Sequence, residues 1–412
     1  MGLVTRRPCP PPRAPWQAAL RSVVVAVVTL LPVGARADLQ QVQREADHSG
    51  PLEPILRVAL EQRYDDDVLL TGSQSAPGAW LTKIMPQAGL RLDERRTKFD
   101  LSLGPDVLYY NDSGDVKLDY RGGLDLHTEL SRTAQIDTVA RFWDTSDPLA
   151  LPRQGLARTL ARTYYGIAIF GWRQEFAPRW SFLLGYRFEG AKVEEPDHPP
   201  GFLNSPSMEV DYRLTRRADI GAEYRLQLFK FGDNNAVAQS PGLVWKYRLS
   251  RSANIKVSGG LAFYREHLDP SKDGIVPRFE IDVAQRITKR VDWVFAIGHD
   301  LVGASGFSTA VWADYSSLTL SWQVLEKLRL FGYGSFFRNG PMPNIGVFPL
   351  KVDQEKGVAA GYGVGAGAEW RFNRNVAVQA SYDRLDQVGS VDPAQTSLTR
   401  NIVAARLTVD AF

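Results

Sequence analysis

The residues with the strongest claim to chemistry are few and scattered. The five histidines, His48, His127, His198, His267 and His299, sit in separate segments, and no H-x-x-x-H or similar spacing joins two of them. No transition-metal site is therefore expected. The segment "GHDLVGASGFS" gathers His299, Asp300, Ser305 and Ser308, the residue types of a nucleophile and its base. Its Gly303-Ala-Ser305-Gly306 is not G-x-S-x-G, and that motif belongs to a strand–turn–helix context. A polar external loop explains it better than catalysis does. "YDDDVLLTG" sets Asp65, Asp66 and Asp67 side by side, an oxygen-rich cluster with the chemistry of a Ca²⁺ site. The further ligands cannot be located, and a solvated loop with repelling charges is the simpler reading. Neither catalytic residues nor a metal or cofactor are expected.

One stretch imitates a nucleotide loop. In "GYGVGAGAEWRF", Gly363, Gly365 and Ala368 fit G-x-G-x-x-G/A. The physics of that motif needs a helix after it to receive the pyrophosphate, and no helical apolar spacing follows Ala368. Instead Gly361, Gly363, Gly365 and Gly367 alternate with Tyr362, Val364, Ala366 and Ala368. That is a strand with one bare face and one apolar face.

The same period of two recurs from about Ile55 onward, in stretches of roughly ten residues divided by polar breaks. Ile255, Val257, Leu261 and Phe263 alternate with Lys256, Ser258, Gly260 and Ala262; Met208, Val210, Tyr212 and Leu214 alternate with Glu209, Asp211 and Arg213. A basic heptapeptide also repeats: "LSRTAQI", "FAPRWSF", "LTRRADI", "LSRSANI", "ITKRVDW", "VLEKLRL" and "FNRNVAV", with "LDERRTKF" one residue longer. Between consecutive copies lies a longer, more variable break. Eight short turns on one side, plus a first and a last strand, predict 18 strands. The expected fold is all-β, a single antiparallel transmembrane barrel with short periplasmic turns and longer extracellular loops. A soluble solenoid would not place charge all along one strand face.

The address agrees. Residues 1–37 carry Arg6, Arg7, Arg13 and Arg21 before the apolar "VVVAVVTLLPVG", then "ARA" at Ala35 to Ala37, the pattern of a cleaved secretory signal. Residues 38–54 read as a short periplasmic segment and 55–412 as the barrel. Of 49 basic residues against 46 acidic, five arginines leave with the signal, turning the formal charge from +3 to −2. No nucleic-acid partner is implied. The single cysteine, Cys9, leaves too, so disulfides and thiolate sites are excluded. Trp180, Phe182, Trp293, Trp322, Trp370 and Phe372 cluster beside the short turns, where an interfacial girdle belongs. Localisation in the outer membrane of a Gram-negative bacterium follows, with lipid and lipopolysaccharide around the barrel. The terminal Phe412 lies out of phase with Val403, Ala405, Leu407 and Val409.

Alternation assigns the lumen. Arg57, Glu61, Arg63, Asp119 and Arg121 fall on inward faces, as do Glu209, Asp211, Arg213, Glu223 and Arg225. Arg278, Glu280, Asp282 and Arg286 do likewise, and so do Glu369, Arg371 and Arg406. Mixed signs suit a wall solvated by interleaved salt bridges, or a path for a hydrophilic solute without strong charge. Gly361, Gly363, Gly365 and Gly367 also face inward. Relief of crowding or of curvature is the preferred explanation; room for an in-folded loop or a passing solute is the other. The preceding "PMPNIGVFPL", Pro341 to Leu350, is the segment expected to fold inward.

"EQRYDDDVLLTGS" followed by "IMPQAGLRLDERRTKFDLSLGPDVLYY" resembles the start of the outer-membrane β-barrel porins associated with exopolysaccharide biosynthesis loci. Tyr64 to Asp67, Pro86 and Arg95-Arg96 carry the resemblance, which spans roughly Leu56 to Tyr110. It implies an outer-membrane pore serving export of a surface polysaccharide. A hydrophilic polysaccharide or sugar is the expected solute, and a periplasmic export partner is a separate expectation. A general or sugar-selective diffusion porin is the alternative. An outer-membrane lipid hydrolase or acyltransferase, with His299 and Ser305, is a distant third.

Overall fold

The computed structural model describes residues 52–67, 78–146, 162–194, 199–268, 273–303, 310–340, 359–388 and 397–411. Residues 1–51, with the expected signal and most of the expected periplasmic segment, lie outside the described residues. So do Ser305, Ser308, Pro341 to Leu350 and Phe412. The first six strands are β1 (Glu53–Asp65), β2 (Ala79–Asp93), β3 (Thr97–Tyr110), β4 (Val116–Glu129), β5 (Ala134–Thr145) and β6 (Thr163–Ala177). Next come β7 (Trp180–Val193), β8 (Gly201–Arg213), β9 (Ala218–Phe231), β10 (Asn234–Ser250), β11 (Ala253–Glu266) and β12 (Gly274–Arg286). The last six are β13 (Val291–Gly303), β14 (Ala310–Gln323), β15 (Leu328–Gly340), β16 (Ala359–Arg371), β17 (Val376–Val388) and β18 (Ser397–Asp410). Each pairs antiparallel with its chain neighbours, and β1 pairs with β18 from Arg57–Asp410 to Asp65–Ile402. The 18-stranded sheet is closed, as predicted.

Closure and alternation have one physical cause. In hydrocarbon every backbone N–H and C=O must be satisfied within the protein, and a closed sheet leaves no edge to satisfy. The outward residues are the apolar ones. Leu56, Val58 and Leu60 on β1, Leu318 and Leu320 on β14, and Val403, Leu407 and Val409 on β18 are all exposed. Trp180, Trp322, Trp370 and Phe372 are exposed at the short-turn end, and Trp80, Tyr109 and Tyr362 at the other. These are the two aromatic girdles of a membrane barrel. Strands of 12 to 17 residues exceed the roughly 9–11 needed to cross hydrocarbon at a tilt.

The short turns hold two to four residues each, and Arg132, Arg216, Arg251 and Arg374 lie in them. At the loop end two expectations are corrected. The β9–β10 connection is not a longer break but a two-residue turn, Gly232-Asp233, which Gly232 permits at φ 56°. Gly201 to Asn204, within the stretch between "FAPRWSF" and "LTRRADI" where a longer break is expected, open β8 instead and pair with β7 and β9.

Among the described residues, the barrel wall is interrupted at this end between β12 and β13. Pairing between β12 and β13 stops at Phe279–His299, while pairing between β13 and β14 continues to Gly303–Ala310. Ala310 to Asp314 are buried without regard to parity, which an outer wall strand facing lipid does not allow. The end of the β13–β14 hairpin has turned into the barrel. Cα atoms of β13 and β8, five strands apart in the sheet, come within 8 Å of each other. Leu301, Ala310 and Trp312 pack there on Leu203, Phe229, Phe231, Ala236, Ala238, Ala262, Tyr264 and Val276, which are inward positions of β8 to β12.

Candidate permeation path

The charged residues assigned inward by alternation occupy the face opposite the apolar belt. Glu61, Arg63, Asp119, Glu209, Asp211, Arg278, Asp282 and Glu369 are buried. Arg57, Arg121, Glu223, Arg225, Glu280, Arg371 and Arg406 are half-buried, and Arg213 and Arg286 are exposed at the short-turn ends of their strands. Most meet an opposite charge. Arg57 Nε lies 2.5 Å from Asp410 Oδ1, Arg121 Nε 3.1 Å from Asp106 Oδ1, and Arg406 Nη2 2.5 Å from Glu61 Oε2. Some pairs step over whole strands. Arg278 on β12 reaches Glu223 on β9, and Lys246 on β10 reaches both Glu209 and, at 2.7 Å, Asp211 on β8. Such reach is available only on the concave inner face. Sequence reasoning missed Lys246, Asp106, Asp410 and Arg400. The signal was present, since Lys246 alternates with Trp245 and Tyr247 as the others alternate with their neighbours.

The acidic cluster after Tyr64 has a different use from either one read in the sequence. Asp65, fully buried, accepts hydrogen bonds from the Arg400 guanidinium, and Asp66 accepts them from the backbone and side chain of Asn401. With Glu61–Arg406 and Arg57–Asp410 these contacts fasten the first strand to the last. Among the described residues no cluster of His, Cys, Asp and Glu could hold a metal ion.

The glycine face of β16 is not bare: side chains of the neighbouring strand cover it. Aromatic rings from β15 lie across it: Phe331 stands opposite Gly367, Tyr333 opposite Gly365 and Phe337 opposite Gly361. A Cβ on Gly365 would collide with the Tyr333 ring and Asp383, and one on Gly361 would lie 2.9 Å from Phe337 Cζ. Tyr333 crosses the bare backbone of Gly365 to donate its hydroxyl to Asp383 on β17. The same arrangement recurs on the other side of the hairpin. Tyr315 lies over Gly298, where a Cβ would come within 2.6 Å of its Cζ, and donates to Glu280 on β12 at 3.2 Å.

The in-folded hairpin is held by polar contacts as well as by its apolar face. Arg225 Nη1 on β9 lies 2.6 Å from Asp300 Oδ2, and Gln227 Nε2 donates to the carbonyl of Leu301 at 3.1 Å. At its root, His299 Nδ1 is 2.6 Å from Asp314 Oδ1, and the imidazole stacks on Trp312 at 4.9 Å. His299, the histidine considered for catalysis, is thus 5% exposed and committed to packing. A cavity of about 150 Å³ remains between the hairpin and β6–β9, lined by Arg187, Glu189, Glu209, Arg225, Asp300 and Tyr315. A second, of about 170 Å³, lies against β1–β5 and contains Arg57, Arg91, Arg121, Arg141 and Arg406. All five of those arginines face a carboxylate, Arg91 meeting Asp100 at 2.9 Å and Arg141 meeting Asp125 at 2.7 Å.

A closed barrel with an apolar outer belt, two aromatic girdles and a charged inner wall is a transmembrane protein of the Gram-negative outer membrane. No family model matches the chain, and no curated protein matches it. Solved structures are similar to it at low identity. OccK5 (OpdH) of Pseudomonas aeruginosa is 11% identical, over 88% of this chain and 98% of its own, with a TM-score of 0.40. The outer membrane protein opdK of the same organism is 8% identical, over 87% and 99%, with a TM-score of 0.43. OccK2 (OpdF) of that organism, in complex with glucuronate, is 10% identical, over 88% and 98%, with a TM-score of 0.42. The fold assignment rests on this chain's own strand pairing.

Proposed function

We propose that the protein is a passive diffusion channel for small hydrophilic solutes that carry little net charge. One observation carries the reading: a charge-compensated lumen wall narrowed by the in-folded β13–β14 hairpin. An 18-strand barrel is wide enough for an aqueous passage unless something occupies it, and here a hairpin occupies one side. Paired charges keep the wall wet without offering a deep well for either sign of ion. The polymer-export reading rests on the resemblance over Leu56 to Tyr110, and it asks an extended chain to pass a lumen that the hairpin divides. The small-solute reading is the better match. Catalysis is not needed to account for any of the groups described.

Reconstitution tests this directly. Purified barrel in planar bilayers is expected to pass ions with weak selectivity, and in liposomes to admit monosaccharides faster than trisaccharides. A barrel that admits dextran chains as readily as glucose would restore the export reading. One that passes neither ions nor sugars would end the channel reading.

A further inference from the structure

We propose that the inner wall at β15–β16 is a carbohydrate-stacking platform on the permeation path, with Phe331 and Tyr333 as its rungs. The proposal rests on the channel reading above and names the solute class. Two properties of this wall separate it from the rest of the lumen. First, it is poor in charge. Opposite Phe331, Tyr333 and Ser335 stand Ser321, Thr319 and Ser317 of β14, in register and on the same face. Beyond the glycines, β17 presents Gln379 and Ser381. Asp383 is taken by Tyr333, and Glu369 by Arg371 and Arg329 near the short-turn end.

Second, the rings are held flat. Gly365 and Gly367 have no side chain to tip them, and a Cβ at Gly367 would meet the Phe331 ring. One face of each ring is covered by the backbone of β16. Both residues are nevertheless only half-buried, so their exposure lies on the lumen side. At the short-turn end of the platform the Arg329 guanidinium lies over the Phe331 ring, 5.6 Å from its centroid, which leaves Tyr333 as the more open rung. A pyranose needs this combination. Its C–H face gains contact from a flat aromatic ring, and its equatorial hydroxyls need donors and acceptors at the ring's edge. Thr319, Gln379 and Ser381, half-buried on the same face, supply those without the ionic partners that occupy the opposite wall. An acyclic polyol has no flat face to stack.

The test uses single channels in planar bilayers, with maltotetraose as probe and sorbitol as the acyclic control. Maltotetraose is expected to interrupt the current reversibly, and sorbitol at equal concentration to leave it smooth. Phe331→Leu and Tyr333→Leu, which keep apolar bulk, should each weaken the block by about fivefold, the worth of one aromatic contact. Tyr333→Phe should keep the block, since it keeps the ring. Heat-modifiable mobility on gels verifies that each variant is folded. A conducting barrel that maltotetraose does not block, or blocks equally in the leucine variants, overturns the platform alone. A silent wild-type barrel overturns the channel reading and this proposal with it.

Discussion

At the scale of single residues, glycine and carboxylate positions gain their meaning from what lies beside them. Gly365 is bare because Tyr333 occupies the space a side chain would need. Even Gly365→Ala should therefore destabilise the barrel, by about 1–3 kcal/mol for overpacking. Gly334, where an added Cβ would find nothing within 4 Å, should accept alanine with little change. Urea midpoints of the folded barrel in detergent read the difference, and equal midpoints for the two variants would refute the crowding account. Asp65→Ala leaves the buried Arg400 guanidinium without its carboxylate. The expected loss is about 3–5 kcal/mol, the cost of breaking one side of a buried ion pair, against less than about 1 kcal/mol for the exposed Arg213→Ala.

At the scale of elements, the β13–β14 hairpin is what narrows the lumen in the proposed channel. Its apolar side is buried against β8–β12, and its polar tether is Arg225–Asp300 with Gln227. Arg225→Ala with Gln227→Ala should let the hairpin swing and raise single-channel conductance. A lower or unchanged conductance would show that the constriction lies elsewhere. The strands themselves are legible in the sequence because lipid and water impose opposite demands on alternate residues. The hairpin is harder to see, although it leaves a mark. Leu301-Val302 and Val311-Trp312-Ala313 are contiguous apolar runs, which signal burial on both faces. Phe229, Phe231, Ala236 and Ala238 are apolar at inward positions for the same reason. The partners of Gly365 and Asp65 are out of reach, since Asp65 and Arg400 are 335 residues apart. Register across the closing seam cannot be read from alternation, which fixes faces and not offsets.

At the scale of the whole molecule, sidedness follows from the asymmetry of the connections. Cysteines at Arg132, Arg216, Arg251 and Arg374 should resist an impermeant thiol reagent on intact cells, whereas cysteines at Pro199 and Asp233 should react. The reverse pattern would invert the barrel in the membrane. Val364→Arg, on the lipid face, should hinder insertion at a cost of roughly 2–4 kcal/mol near mid-bilayer. Gln379→Arg, inward and opposite Glu369, should assemble. Normal assembly of the first with failure of the second would exchange the two faces. The pairs that join β1 to β18 carry one more consequence, for biogenesis. Until its final strand arrives, the nascent sheet has two unpaired edges, each able to recruit any free strand. Sliding the join by two residues would set Glu61 against Ala404 or Thr408 instead of Arg406. The charges at the two chain ends thus act as a keyed clasp, which engages at a single offset and only once the last residues have been delivered.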